Sequence, residues 1–123
     1  MLEIDPRSAV PLGEQVRLGL RRAIAEGELA VGDPLPPVRQ LAGDLGVNLN
    51  TVARAYRELE REGLVKAARG RGTVVAALRA TAAPARDALR ERFRDLLADC
   101  KLGGYRKEDV KRLFASEIER SYE

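Results

Sequence analysis

A chain of 123 residues, 45% apolar and 33% charged, suffices for one compact domain and a small appendage. With one cysteine, Cys100, and no histidine, an intrachain disulfide, the usual zinc sites and both Ser-His-Asp and Cys-His catalytic centres are excluded. The net charge of +3 is too small to announce nucleic acid, yet arginine, the better fork for phosphate and guanine, dominates the bases.

The first helix is expected over Pro11 to Glu26, where Leu12, Val16, Leu20 and Ala23/Ile24 recur at helical spacing between Glu14, Arg17, Arg21 and Arg22. Pro11 suits its start and Gly27 its end, and Gly32-Asp33-Pro34 read as a turn. Pro36-Pro37 introduce a short second helix whose inner face is Val38, Leu41, Ala42 and Leu45, stopped by Gly46. A third helix follows almost at once, from Leu49 to Glu62, with Asn48 as its N-cap candidate and Val52, Ala55, Tyr56 and Leu59 facing inward. Two short runs, 64–68 and 73–76, flank Arg69-Gly70-Arg71-Gly72 and read as a β-hairpin.

Residues 78–83 are small and alanine-rich and read as a linker or the frayed start of the next helix. Pro84 then opens a fourth helix with Leu89, Phe93, Leu96, Leu97 and Cys100 on one stripe, which makes Cys100 a buried structural thiol. Gly103-Gly104 end it, and a fifth helix over Lys107 to Ser121 carries Val110, Leu113, Phe114 and Ile118. The expected fold is mainly α with a small β-hairpin: a winged helix-turn-helix, residues 1–77, followed by two C-terminal helices, residues 78–123.

In that fold the third helix enters a DNA major groove by its N-terminal residues. Those residues are Asn48, Leu49, Asn50 and Thr51, followed by Arg54 and Arg57 three apart on the outer side. Amides read adenine, hydroxyls bind phosphate or base, and helix N-terminal N–H groups attract phosphate. Asn48 also reads as a cap alone, and Arg54 and Arg57 as solvated surface charge. Arg39 stands near the positive end of the second helix, where a cation does not help stability, so DNA contact is a reason for it, with a plain surface arginine as the alternative. At the hairpin tip, Gly70 and Gly72 permit close backbone approach, and Arg69 and Arg71 grip phosphates or enter a minor groove.

The ordered segments Pro11-Leu12-Gly13-Glu14-Gln15-Val16, Gly27-Glu28-Leu29, Gly32-Asp33-Pro34-Leu35-Pro36, Val38-Arg39-Gln40-Leu41-Ala42 and Leu45-Gly46-Val47 resemble GntR-family regulators. The resemblance continues through Asn50-Thr51-Val52-Ala53-Arg54-Ala55-Tyr56, Leu59-Glu60-Arg61-Glu62-Gly63-Leu64-Val65 and Gly70-Arg71-Gly72-Thr73-Val74-Val75, covering roughly residues 8 to 76. The short stretch after the wing and the Asn-x-Asn-Thr-Val start of the third helix resemble the YtrA-type subfamily. That implies a homodimer built by the tail helices and repression of the protein's own operon, often one encoding an ABC transporter. Two departures stand out: Pro37 where the family usually has serine, which removes a capping and phosphate-binding hydroxyl, and Leu49 where many members have arginine.

The expected partners are double-stranded DNA and a second copy, through Leu89, Phe93, Leu96, Leu97, Cys100, Val110, Leu113, Phe114 and Ile118. The alternative for the tail is folding back on its own winged helix, and for the whole chain a winged-helix protein–protein module with secondary DNA binding. No cofactor or metal is expected, no carboxylate pair is placed for enzyme chemistry, and a small-molecule effector is either absent or seated where tail meets reading head. No apolar run approaches the ~20 residues of a membrane span, and Met1 to Val10 lacks a basic segment followed by an apolar one, so neither a span nor a signal peptide is read and the expected location is the cytoplasm.

Overall fold

The computed structural model describes residues 2–77 and 85–122. The linker expected at 78–83 and the helix-opening Pro84 lie outside them. The chain divides into two compact units, Met1–Ala82 and Ala83–Glu123. The first holds α1 (Leu12–Ala25), α2 (Val38–Leu45), α3 (Leu49–Arg61), β1 (Val65–Ala68) and β2 (Gly72–Val75); the second holds α4 (Arg86–Leu102) and α5 (Lys107–Ser121).

In the first unit α3 packs against α1, α2 and β1. Val16, Leu20, Val52, Leu59 and Val75 are fully buried at the centre. Each such side chain contributes about 1.5–3 kcal/mol on leaving water, so this cluster is what orients α3. The link between α2 and α3 is set by Gly46 in the left-handed region (φ 69°), which caps α2. The N–H of Val47 bonds the Ala42 carbonyl at 3.0 Å and that of Gly46 bonds Gly43 at 3.3 Å, the paired pattern of a Schellman motif. The chain thereby reverses within two residues, and Asn48 starts α3 by accepting from the Asn50 N–H at 2.7 Å. By contrast α2 starts without a side-chain cap, because its N-cap residue is Pro37.

β1 and β2 pair antiparallel, with Val65 opposite Val75 and Ala68 opposite Gly72. The sequence read residues 32–34 only as a turn. They also lie along the free edge of β2, through Gly32 N–H to Val75 O (2.9 Å), Val75 N–H to Asp33 O (2.9 Å) and Leu35 N–H to Thr73 O (2.8 Å), with a bridge at Pro34–Val74. Three segments, not two, therefore brace the wing. The fold is a winged helix-turn-helix with two further helices.

In the second unit α4 and α5 are joined at Gly103-Gly104, where Tyr105 N–H bonds Cys100 O at 3.0 Å. No residue of α4 or α5 is buried. Cys100, expected as a buried thiol, is only half-buried, because its own unit has no core to enclose it.

Candidate nucleic-acid interface

Along α3 the buried residues Val52, Ala55, Tyr56 and Leu59 occupy one face. At 3.6 residues per turn the opposite face carries Asn50, Arg54, Arg57 and Arg61, all exposed. Among the described residues no carboxylate pairs with any of these arginines, nor with exposed Arg39 on α2. Uncommitted guanidiniums on a rigid helix are available donors for phosphate or guanine. Arg61 belongs to this face and the sequence reading missed it, although the same spacing would have found it.

The remaining predicted residues divide by what they touch. Leu49, 41% exposed, is the one large apolar side chain that α3 shows to solvent among the described residues. Asn48 does serve as a cap, through its side-chain oxygen. Thr51 lines the groove beside Asn50 but is half-buried against α1, its methyl 3.6 Å from where a Cβ on Gly13 would sit. A groove of about 680 Å³ runs beside the start of α3, between Asn48, Asn50 and Arg54 on one side and Pro11 and Glu14 on the other.

At the wing, Arg71 N–H bonds Ala68 O at 3.0 Å, and Gly70 turns the tip with φ 75°. Gly72 already belongs to β2. Arg69 and Arg71 are exposed, but Arg71 is partly engaged: its Nη2 donates to Gly32 O at 3.0 Å. That bond ties the tip to the edge segment 32–35.

Three acidic groups near this surface are partly offset by two arginines, through contacts the sequence reading passed over. Arg17 donates to Glu14 (3.0 and 2.9 Å) and to Glu62 (3.2 Å), and pairs with Glu58 at 3.5 Å. Arg21 donates to Glu62 at 3.1 Å. The hydrogen bonds from Arg17 hold the Glu14 carboxyl below the usual carboxylate range, and Glu14 in turn drives the guanidinium further from deprotonation. Glu14 and Glu58 line the groove, and Arg17 offsets part of their negative charge.

Two further side chains hold the platform. Tyr56 donates to Pro36 O at 2.5 Å, fixing α3 to the entry of α2, and burial pushes its hydroxyl up to about 12. Gln15 donates to the carbonyls of Val10 (2.8 Å) and Asp5 (2.9 Å) and accepts from Asp5 N–H (2.7 Å), clamping the segment before α1.

In the second unit most of the predicted dimer residues fall on two open apolar surfaces, Leu89, Phe93 and Leu96 along α4 and Leu97, Val110, Phe114 and Ile118 between α4 and α5. Leu89, Phe93, Leu96, Leu97, Leu113 and Ile118 are 36–56% exposed, and Val110 and Phe114 are half-buried. No cluster of metal-ligating side chains and no helix long and apolar enough to cross a membrane occurs among the described residues.

A profile described as "Bacterial regulatory proteins, gntR family" matches residues 12–75. The HTH-type transcriptional repressor YtrA of Bacillus subtilis (strain 168) is 47% identical over 75 residues, 61% of this chain and 58% of that protein. The match spans about three fifths of the length of that repressor and of the HTH-type transcriptional regulator Rv1152 of Mycobacterium tuberculosis, and less than a third of several longer relatives. Among solved structures, YtrA from Sulfolobus acidocaldarius, a GntR-family transcription factor, is 37% identical with a TM-score of 0.64, covering 79% of this chain and 97% of that one. The DNA-binding domain of AraR in complex with operator ORX1 is 28% identical with a TM-score of 0.54, covering 61% of this chain and 93% of that one.

Proposed function

The chain belongs to the gntR family of bacterial regulatory proteins, which are regulators and not enzymes, and from that premise we propose that it is a sequence-specific repressor that binds an inverted-repeat operator as a homodimer. The observation that carries this reading is the outer face of α3, where Asn50, Arg54 and Arg57 are exposed and uncommitted opposite a fully packed inner face.

In this mechanism α3 lies in the major groove. Asn50, Arg54 and Arg57 meet base edges, Leu49 meets a thymine methyl, and the N-terminal N–H groups of α3 hold phosphate. Arg39 contacts the same duplex from α2. Arg69 and Arg71 reach the neighbouring groove or its backbone, with Gly70 and Gly72 allowing close approach. Asn48 and Thr51 position the helix more than they read, since the first is spent on the cap and the second on α1. The solved AraR domain on its operator supports double-stranded DNA as the ligand class. The likeness to a repressor supports the direction of control. Control of its own operon, with ABC-transporter genes as the expected content, extends the subfamily resemblance.

The tail supplies the second copy. Its apolar stripe is open within one chain, and a small reading head alone seldom distinguishes its site from a genome of competitors. A second copy covers the stripe and doubles the contacts.

The test is fluorescence anisotropy on the DNA upstream of the protein's own gene, across a salt series and against unrelated duplex. Binding that survives competitor with two protomers per site is the expected result. Weak binding that vanishes with modest salt and shows no preference would leave only phosphate attraction and overturn the reading.

A further inference from the structure

Resting on the DNA-binding reading above, we propose that Arg61 grips the DNA backbone at the lip of the major groove, as a sequence-independent anchor at the far end of α3. Asn50, Arg54, Arg57 and Arg61 follow one another at three or four residues, one per turn, so they form a single row along the exposed side of the helix. At roughly 1.5 Å per residue, Arg61 stands about 10 Å beyond Arg54, more than the groove's depth of about 8.5 Å. A helix that enters by its N-terminal residues and sets Asn50 and Arg54 at base edges therefore carries Arg61 out to the level of the phosphates. The groove beside the start of α3 is lined as far as Arg57 and Glu58, one turn short of Arg61.

The ion network of the first unit leaves Arg61 without a local carboxylate. Its natural partner on the same helix, three residues back, is Glu58, and Glu58 pairs with Arg17 at 3.5 Å instead. The adjacent Glu62 is engaged twice, by Arg17 at 3.2 Å and by Arg21 at 3.1 Å. Glu60, adjacent on the other side, leaves the helix about 100° away. Four residues back stands Arg57, a like charge, which disfavours the helix at this spacing. Arg61 is exposed and, among the described residues, carries no ion pair. Its guanidinium is thus a free donor for a phosphate, at a height where no base edge is presented. A cation in the last turn also suits the negative end of the helix dipole. That role is served inside the protein and touches no DNA, so experiment separates the two.

Arg61→Gln removes the charge and Arg61→Lys keeps it. Both introduce good helix formers at an exposed position, so far-UV circular dichroism should remain that of the parent. Each is titrated by fluorescence anisotropy against the duplex upstream of the protein's own gene and against unrelated duplex, across a salt series. Arg61→Gln should bind both duplexes several-fold more weakly, by the same factor, and its log–log salt slope should be shallower by about one per bound protomer. Arg61→Lys should keep the parent's slope. A loss confined to the upstream duplex would make Arg61 a base reader and overturn the anchor. Unchanged affinity and slope would overturn it too and leave only the helix-dipole role. Neither result touches the proposed repressor as long as the parent prefers the upstream duplex. A parent without that preference, whose slope still falls on Arg61→Gln, would remove the operator reading and support the anchor. A parent that binds neither duplex would overturn both.

Discussion

In the proposed complex Arg57 and Leu49 would read different features of a base pair, and single substitutions separate their roles. Arg57→Ala should cost about 1–3 kcal/mol of operator binding and relax preference at one base pair per half-site; equal weakening on every sequence would assign Arg57 to phosphate instead. The Leu49 side chain offers no hydrogen bond, so its partner in the proposed complex would be a thymine methyl. Replacing the contacted thymine by deoxyuridine, which lacks only that methyl, should weaken binding several-fold, and Leu49→Ala should abolish the difference; anisotropy on the two duplexes measures both. Tyr56 works behind this face. Its hydroxyl ionises near 10 in the unfolded chain and at about 12 when folded. The folded protein thus keeps a proton that the unfolded chain releases, and stability falls as pH rises from 10 toward 12. Tyr56→Phe should cost about 1 kcal/mol near neutral pH through the lost bond to Pro36, and its deficit against the parent should shrink across that alkaline window in urea unfolding. The outer face was legible in the sequence because residues three and four apart share a side of a helix. The half-burial of Thr51 was not legible, because its methyl lies toward Gly13, a neighbour 38 positions away that periodicity does not see.

At the scale of elements, α1 and α3 are held by a core that pattern reveals and by an ion network that it does not. The helices and the hairpin follow from apolar spacing, and their ends from Gly46, Gly63 and Asn48. Arg17, by contrast, joins Glu14 in its own helix to Glu58 and Glu62 in another, and the sequence shows only the first of these as a neighbour. Arg17→Ala should lower stability by about 1–2 kcal/mol, since it removes charge-assisted bonds that retain some access to water, and thermal unfolding would register it. It should also weaken DNA binding with no change in base preference, because Glu14 and Glu58 would then face the phosphates uncompensated. A variant that bound as tightly as the parent would show that these carboxylates lie outside the field of the DNA. The edge segment 32–35 escaped the sequence reading for another reason: its pairing with β2 is made by backbone groups, in a stretch whose glycine and proline signal only a turn.

For the whole molecule, the homodimer proposed above would carry two reading heads, and their spacing would constrain the operator as much as any side chain does. If the heads engage successive major grooves on one side of the duplex, inserting about 5 bp between half-sites should abolish tight binding, and inserting about 10 bp should restore part of it. Equal affinity for all spacings would mean that the heads act independently. The tail was only half legible. Its helices and their stripe follow from spacing, but the exposure of that stripe and of Cys100 depends on what covers it, which a single chain does not encode. The separation of α3 into a packed inner face and an uncommitted outer one has an evolutionary consequence. Asn50, Arg54 and Arg57 share no partner with the core, so they are free to change without loss of folding stability. A duplicated gene would thus begin with an intact scaffold and an editable address, and sister regulators in one genome could drift to separate targets through a handful of codons while Tyr56, Arg17 and Gly46 stay fixed.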